Sequence, residues 1–577
     1  MDLSILRHSC SHVMAQAVKT LWPDVKLAIG PSIEDGFYYD FDKKEPFSPE
    51  DLEKIEACMK DIIARDEAFL REDLSKKDAK DLFAKLGETF KLELLDKIPD
   101  ETVSVYRTGK NFVDLCRGPH VKSAGEINAF KLLSIAGAYW HGIETNPMLQ
   151  RIYGTAFLNQ ADLKKHLDLL DEARKRDHRK LGRELELFDI YQDEAGAGLV
   201  FYHPKGALLR DILETYEKQE HLKRGYQMVV TPHILKWDLW KTSGHASFYK
   251  ENMYRLDIDE QEYAVKPMNC PGHILIYKSR TRSYRDLPLR LFELGTVYRH
   301  EKSGVLHGLL RVRGFTQDDA HIFCLPEQVV SEIKGVIDFV FDTMNLFGFR
   351  DVKIEISTRP AKSIGTDEDW ERATSALKNS LDEKKLPYEI NEGDGAFYGP
   401  KIDIKLRDCL GRYWQCATIQ CDFALPENFD LNYVSAEGKN CRPVMLHRVI
   451  FGSLERFIGT LIEHYAGNFP VWLAPEQVII IPIKDDTHAY AREVDSKLKS
   501  KNIRSTIDLS QDSLNKKIRN AELQKIPYCL VLGAREAGSG SVSVRSKAKG
   551  DLGVMKLEVF AEQICKEAEE KNKSSLV

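Results

Sequence analysis

The sequence predicts an α+β protein of several domains, the largest of them built on a mostly antiparallel sheet. Three observations carry this. The 577 residues allow about three or four domains at roughly 100–200 residues each. Between residues 188 and 474, β-branched and aromatic runs are broken by Gly and Pro, as in Ala264-Val265-Lys266-Pro267, Lys353-Ile354-Glu355-Ile356 and Lys401-Ile402-Asp403-Ile404. From residue 475 onward, apolar runs alternate with helical patterns, as in a small α/β domain.

Each stretch follows from its local pattern. Residues 1–157 open with an amphipathic helix over 3–21, and strand-like runs such as 36–41 come after it. Residues 158–187 are highly charged, with Leu163, His166, Leu167, Leu170 and Ala173 at helical spacing, which predicts a linker helix. Residues 188–474 form the sheet-rich stretch. In residues 475–577 the run 477–483 is continuously apolar, as in a buried strand. A helical pattern extends to Lys501, another strand is expected near Ser505, and 528–532 is a second apolar run.

Hydrophobic residues make up 43% of the chain and charged residues 30%, so ordinary folded cores are expected. The net charge of −6 announces no nucleic-acid partner. Residues 475–577 are relatively basic, with 18 Lys and Arg against 15 Asp and Glu. That balance suits an RNA-contacting module, and on charge alone it suits an ordinary solvated surface better. Eleven scattered cysteines form no disulfide framework, which fits free or metal-bound thiols in a reducing cytosol. With no apolar signal core and no apolar run of ~18 residues, a cytoplasmic protein with no membrane partner is expected.

Two arginine-bearing segments point to phosphate chemistry. Arg299-His300-Glu301 follows Glu293-Leu294-Gly295, and Arg311-Val312-Arg313-Gly314-Phe315 comes after a loop over 302–308. This reads as strand, loop, strand with arginines at both edges. Arginine presents a planar fork to phosphate oxygens and offsets charge that builds on them. Gly452-Ser453-Leu454-Glu455-Arg456 lies in a run where Ile450, Phe451, Leu454, Phe457, Ile458 and Leu461 recur at helical spacing, which places Arg456 near a helix start. Alone, each segment is equally consistent with a surface hairpin or a structural ion pair.

Together they resemble motifs 2 and 3 of the class II aminoacyl-tRNA synthetases. Lys223-Arg224-Gly225-Tyr226 leading to Val229-Val230-Thr231-Pro232 is similar to motif 1, which forms the dimer interface in that class. The match is to the bacterial-type threonyl-tRNA synthetase family. It rests on Lys266-Pro267-Met268-Asn269-Cys270-Pro271-Gly272-His273, Arg313-Gly314-Phe315-Thr316-Gln317-Asp318-Asp319-Ala320-His321, Gly395-Ala396-Phe397-Tyr398-Gly399-Pro400-Lys401 and His447, and it covers nearly the whole chain. The resemblance implies an editing domain at 1–157, a linker helix at 158–187, a class II catalytic domain at 188–474 and an anticodon-binding domain at 475–577. It also implies a homodimer. The small domain that precedes the editing domain in many bacterial relatives is expected to be missing, because the editing motif starts at residue 8.

The resemblance implies that Cys270, His321 and His447 bind one zinc ion; they are too far apart in sequence for spacing to show it. One thiolate and two imidazoles suit zinc, and three protein ligands leave a position open. Valine and threonine differ little in shape, so a metal that takes the amino group and hydroxyl of threonine rejects valine where an apolar pocket would not. Asp319 matches the residue that accepts a hydrogen bond from that hydroxyl. Serine carries both groups and is smaller, so a second check is needed.

Further roles carry over position by position. Arg299 is expected on the ATP α-phosphate, Glu301 at the adenine amino group and Arg456 on the γ-phosphate side, with Mg²⁺ accompanying ATP. Lys401 joins the catalytic set. Met268, Arg311, Gln317, Tyr398, Gln415, Thr418, Gln420 and Ser453 match substrate- or nucleotide-pocket positions. His245, in Thr242-Ser243-Gly244-His245, matches a proton relay for transfer to tRNA, work that suits a group titrating near neutrality.

At the N-terminus, His8 and His12 lie one helical turn apart, and Cys116-Arg117-Gly118-Pro119-His120 must be a loop. Residue types alone suit a four-ligand zinc site. The resemblance implies instead the pocket that hydrolyses seryl-tRNA(Thr). There His8, His12 and His120 position water, Cys116 helps hold the 3′ end, and Lys91, Asp114 and Tyr39 flank them. Glu536 and Arg545 match anticodon-contacting positions. The implied activity is threonine–tRNA ligase, with ATP, L-threonine and tRNA(Thr) as partners. Two other readings are a non-catalytic paralogue that binds RNA or senses amino acids and a class II enzyme for another amino acid such as serine or proline. Arg299, Arg456 and the three zinc-ligand matches argue against the first, and the same three matches with Asp319 argue against the second.

Overall fold

The computed structural model describes residues 2–109, 112–143, 145–407 and 411–571. The chain divides into two compact units, Met1–Asp171 and Glu172–Val577.

In the first unit the helix Leu3–Leu21 forms over the expected residues. Asp2 caps it by accepting from the Ser4 amide at 2.8 Å. Leu6, Cys10, Val13, Met14 and Val18 recur at helical spacing and are buried in one core with Phe37, Tyr39, Phe41 and Ile152. The sheet behind that core runs Lys26–Leu27, Gly36–Asp42, Met148–Phe157, Ala129–Tyr139, all antiparallel, with Ser32–Ile33 also paired to Gly36–Asp42. A second antiparallel sheet comprises Phe69–Ser75, Thr102–Thr108 and Phe112–Leu115. The helices Lys76–Leu86 and Thr89–Lys97 contribute Phe83 and Leu95 to a core with its Val103 and Val105.

The single linker helix expected over 158–187 is two helices, Gln160–Arg176 and His178–Glu184. Asp177 breaks the run. Its backbone is non-helical, and its carboxylate caps the second helix by accepting from the Arg179 amide at 2.8 Å.

The second unit holds an eight-stranded sheet in the order Gln227–Met228, Leu289–Tyr298, Gly314–Cys324, Val444–Val449, Tyr413–Asp422, Lys401–Arg407, Val352–Ser357, Glu389–Asn391. The six inner strands are antiparallel and each edge strand pairs parallel to its neighbour. Register puts His321 opposite His447, His447 opposite Gln420, and Gln420 opposite Lys401. Because side chains alternate between faces, one face carries Gln317, Asp319, His321, His447, Thr418, Gln420, Lys401 and Asp403. The other carries Ala320, Ile322, Leu446, Ile419, Ile402 and Ile404, all buried in the largest core.

Helical spacing placed Ile450 and Phe451 in a helix, but they lie in a turn. The strand ends at Val449, Gly452 takes φ +85°, and the helix runs Leu454–Tyr465. Ser453 caps it by accepting from the Arg456 amide at 3.1 Å.

Residues 478–556 hold a five-stranded sheet in the order Ser505–Ile507, Val478–Pro482, Tyr528–Leu532, Ser541–Ser546, Gly550–Lys556. Its first three strands are parallel, as alternation with helices requires, and an antiparallel hairpin completes it. Among the described residues, no helix is long and apolar enough to cross a membrane.

One glycine sets the approach of two chain segments beside the central sheet. A Cβ on Gly399 would lie 2.0 Å from the Cys421 carbonyl oxygen. Gly399→Ala must push the segment leading to Lys401–Arg407 off the neighbouring strand. A cost of about 1–3 kcal/mol is expected, as for other overpacked sites. It should be read as a lower denaturant midpoint with an unchanged m-value, and an unchanged midpoint would show that the segment yields freely.

Candidate functional site

The polar face of the central sheet forms the floor of two adjoining clefts. The larger, about 480 Å³, is lined by Tyr249, Arg299, Glu301, Arg311, Phe315, Gln317, Gln415, Thr418, Ser453 and Arg456. The smaller, about 260 Å³, is lined by Met268, Cys270, Arg299, Gln317, Asp319, His321, Tyr398, Thr418, Gln420 and His447. Arg299, Gln317 and Thr418 border both, so the two chambers meet there. Lys401 reaches neither lining; its ammonium lies 2.6 Å from Asp403.

In the large chamber the arginines are held by backbone carbonyls, which leaves their positive charge available. Arg299 donates to Pro267 O at 3.2 Å and lies over the Phe315 ring at 5.1 Å. Arg456 donates to Leu310 O at 3.2 Å and to Gln415 O at 3.3 Å. Arg311 differs, pairing with Glu301 at 2.9 Å. Burial lowers the Arg456 guanidinium, but an arginine remains a cation throughout the physiological range.

In the small chamber the ligating atoms of Cys270, His321 and His447 lie within 4.8 Å of one another, and all three residues are buried. Cys270 is the first residue of the helix Cys270–Lys278, where the helix dipole favours a thiolate. Burial pushes the thiol well up and His321 well down. The imidazole is therefore neutral, as a ligand must be, and a bound cation would reverse the thiol's preference. Each histidine is oriented from outside. His447 Nε2 meets Asp422 Oδ2 at 2.9 Å. His321 Nδ1 meets His273 Nδ1 at 2.8 Å, and His273 Nε2 meets Glu293 Oε2 at 3.2 Å. Such outer partners fix ring orientation in metal sites, and the donor set is compatible with a metal ion. Burial raises the Glu293 carboxylate, but bonds from His273 and the Thr231 amide, with Lys266 nearby, outweigh it and bring it to about 2. Asn269 Nδ2 holds Asp319 at 3.0 Å in space that a side chain at position 295 would fill.

His245 is fully buried between Ser243 Oγ at 2.8 Å and Met268 Sδ at 2.9 Å. Burial, with His447 and Arg299 adding to it, lowers it to about 3. The near-neutral titration expected of it is not met, and the ring is a neutral imidazole.

Several structuring residues escaped the sequence reading. Asp318 lies between Gln317 and Asp319 on the opposite sheet face and accepts from the amides of Ile450 (2.5 Å), Phe451 (3.1 Å) and Gly452 (3.0 Å). It thereby fixes the turn that delivers Ser453 and Arg456. Asp403 receives Lys401, Gln415 at 2.6 Å and Thr418 at 3.0 Å. His178 meets Glu463 at 2.7 Å and accepts from the Leu309 amide at 3.0 Å. Strand alternation around Asp318 and the Lys401–Asp403 spacing of two offered a signal; the other contacts are long-range and leave no local pattern.

In the first unit a second cluster gathers. The ligating atoms of His8, His12, Cys116 and His120 lie within 4.8 Å of one another. Cys116 Sγ lies 3.4 Å from His8 Nε2 and 3.2 Å from His120 Nε2. Burial lowers His8, His12 and His120 and pushes Cys116 up to about 11, so the cluster is uncharged. Behind it, Asp114 forms an ion pair with Lys91 at 2.5 Å and accepts from Tyr39 at 2.5 Å, and Lys91 donates to Tyr39 at 3.0 Å. His12 lies 3.8 Å from Asp114, and its Nδ1 is buried without a partner among the described residues. Glu536 and Arg545 lie elsewhere, in the 478–556 region. Glu536 accepts from the Gly533 amide at 2.9 Å, and Arg545 is exposed on Ser541–Ser546.

Comparison with known proteins assigns domain families to these regions. Residues 254–465 match the tRNA synthetase class II core domain (G, H, P, S and T), 477–567 the anticodon binding domain, and 103–153 the threonyl and alanyl tRNA synthetase second additional domain. A threonine–tRNA ligase of Oleidesulfovibrio alaskensis is 59% identical over 99% of this chain and 88% of its own length. One from Citrifermentans bemidjiense is 60% identical over 97% of this chain and 87% of its own. Among solved structures, the RNA binding domain of threonyl-tRNA synthetase from Cryptosporidium parvum Iowa II superposes with a TM-score of 0.66 at 42% identity, covering 68% of this chain and 98% of that one. Giardia lamblia prolyl-tRNA synthetase shares the fold at a TM-score of 0.51 and 18% identity. With class II core, anticodon-binding and second additional domains in one polypeptide, the chain belongs to the threonine–tRNA ligase family.

Proposed function

We propose that the two adjoining chambers form the threonine-activating site and that the His8 cluster hydrolyses mischarged seryl-tRNA(Thr). The observation that carries the first part is the meeting of an arginine-lined chamber with a buried Cys-His-His cluster. ATP occupies the large chamber, with its α-phosphate at Arg299, its γ-phosphate side at Arg456 and its adenine amino group at Glu301. Magnesium would accompany the phosphates. The threonine carboxylate attacks the α-phosphorus, and pyrophosphate leaves. Arg299, already held by Pro267 O, meets the charge that develops there without reorganising. Zinc, the ion this donor set suits, would be held by Cys270, His321 and His447 and would supply a Lewis-acidic seat for the substrate's amino group and hydroxyl. Asp319, restrained by Asn269, accepts from that hydroxyl. Gln317, Tyr398, Thr418 and Gln420 complete the wall. Lys401 acts through Asp403, which fixes Gln415 and Thr418. Neutral His245 accepts a hydrogen bond near the tRNA terminal ribose rather than storing a proton.

In the first unit the neutral imidazoles orient a water against the seryl ester, and Cys116 helps hold the 3′ end. Lys91, Asp114 and Tyr39 set the depth of the pocket. Exposed Arg545, with Glu536 nearby, serves the anticodon. Leu222, Met228 and Val230 are exposed at 58%, 53% and 82%, which supports a homodimer through the motif 1 region.

ATP–pyrophosphate exchange tests the synthetic reading. Strong exchange with threonine, weaker with serine and none with valine is expected, with loss after chelation and return with zinc. Equal exchange with valine would sink the hydroxyl-sensing site. Exchange that survives full metal removal would sink its zinc.

His178 ties the loop before Arg311 to the helix of Arg456, because its partner Glu463 lies on that helix. Removing it in His178→Ala forfeits buried hydrogen bonds worth about 1–2 kcal/mol. The KM for ATP should rise about tenfold, with little change in the KM for threonine. A parallel loss for both substrates would mean general damage.

The editing pocket has a pH signature. Histidines lowered by burial keep their free-base form below the ordinary range near 6.5. Deacylation of seryl-tRNA(Thr), corrected for spontaneous hydrolysis, should stay level from about pH 8 to about pH 6. A fall centred near 6.5 would mean that an exposed, ordinary histidine is the base.

A further inference from the structure

A cavity of about 580 Å³ opens beside the editing cluster and shares Cys116 with it. Nothing in the mechanism above uses it. Its size is that of a small-ligand site. Leu94, Ile98 and Leu115, all half-buried, offer an apolar surface, and Arg117, Lys97 and Asp100 stand at it exposed. Among the described residues Arg117 and Asp100 have no ion-pair or hydrogen-bond partner. Lys97 meets only a ring nitrogen, His141 Nε2, at 2.7 Å. A free cation, a free carboxylate and an apolar wall next to an ester-hydrolysing cluster suit a nucleotide. The base would lie on the apolar wall, its exocyclic amino group would donate to Asp100, and its phosphate would face Arg117 and Lys97.

We propose that this cavity binds the cytidine that precedes the esterified terminal adenosine, so that the tRNA end is gripped one nucleotide upstream of the scissile ester. The proposal rests on the editing reading. Cys116 lies at the boundary of the two sites, as one-nucleotide adjacency requires. Arg117 follows Cys116 directly in sequence and stands exposed at the cavity, placed to face a phosphate there.

The test compares two esters, 3′-seryl-adenosine and the same ester on the dinucleotide CpA. The wild-type protein should hydrolyse the dinucleotide ester with a kcat/KM at least tenfold higher. Arg117→Glu and Lys97→Glu should each raise the KM for the dinucleotide ester about tenfold and narrow that advantage, with kcat retained. Asp100→Asn should narrow it for CpA and leave it unchanged for UpA, because uridine has no amino group to donate. Because Arg117 adjoins Cys116, a drop of both esters in Arg117→Glu would reflect a disturbed cluster, and Lys97→Glu and Asp100→Asn then decide. No dinucleotide advantage in the wild type, or an advantage untouched by Lys97→Glu and Asp100→Asn, overturns the cavity assignment. Failure of the wild type on both esters and on seryl-tRNA(Thr) overturns the editing reading instead.

Discussion

The synthetic site depends on one pairing register. Gly314–Cys324 meets Val444–Val449 so that His321 stands opposite His447. A slip of one residue would turn Gln317, Asp319 and His321 into the core and bring Thr316, Asp318 and Ala320 into the cleft. The slip is opposed from both faces. Ala320, Ile322, Leu446 and Ile419 would surrender a buried surface. Asp318 would lose three backbone amides that no other described group satisfies in its place. The residue that secures the register is therefore also the one that aims Arg456, so the Cys-His-His cluster and Arg456 are positioned by the same strand.

The two candidate sites handle charge in opposite ways. The large chamber binds Arg299 and Arg456 to carbonyls rather than carboxylates, so no bonded anion offsets their charge. The editing cluster excludes charge. Lys91, behind the histidines, is spent on Asp114, with Tyr39 closing the triangle. A buried pair of this kind adds little net stability, but removing one partner strands the other. Its value is geometric, since it fixes the wall against which His12 lies. Phosphoryl chemistry needs fixed positive charge, whereas orienting a water against an ester needs free-base nitrogens.

Elements with strong periodicity were legible in the sequence. The Leu3–Leu21 helix and the Tyr528–Leu532 strand lie where their apolar patterns place them. Misreadings arose where a local feature overrode periodicity, as Asp177 did in the linker and Gly452 with Ser453 did before the Arg456 helix. Residues singled out within the sheet fall largely on one face because strand alternation is a local rule. Their outer partners were not legible: Asp422, His273, Glu293, Asp403 and Glu463 act across 12 to 285 positions of sequence, and only the fold brings them close.

His245 is where expectation and geometry differ most, and burial explains the difference. A histidine chosen for titrating near neutrality is enclosed between Ser243 and Met268 and lowered to about 3. Charging it inside that enclosure would cost several kcal/mol, because each tenfold loss of proton affinity is worth about 1.4 kcal/mol. A ring so placed cannot be a resting proton store. Ser243 Oγ donates to the Trp240 carbonyl at 3.2 Å and so accepts from Nδ1–H, which leaves the ring's lone pair on Nε2, beside Met268 Sδ. Proton storage at this position is therefore opposed by the enclosure itself, and what the fold fixes is the orientation of a neutral ring.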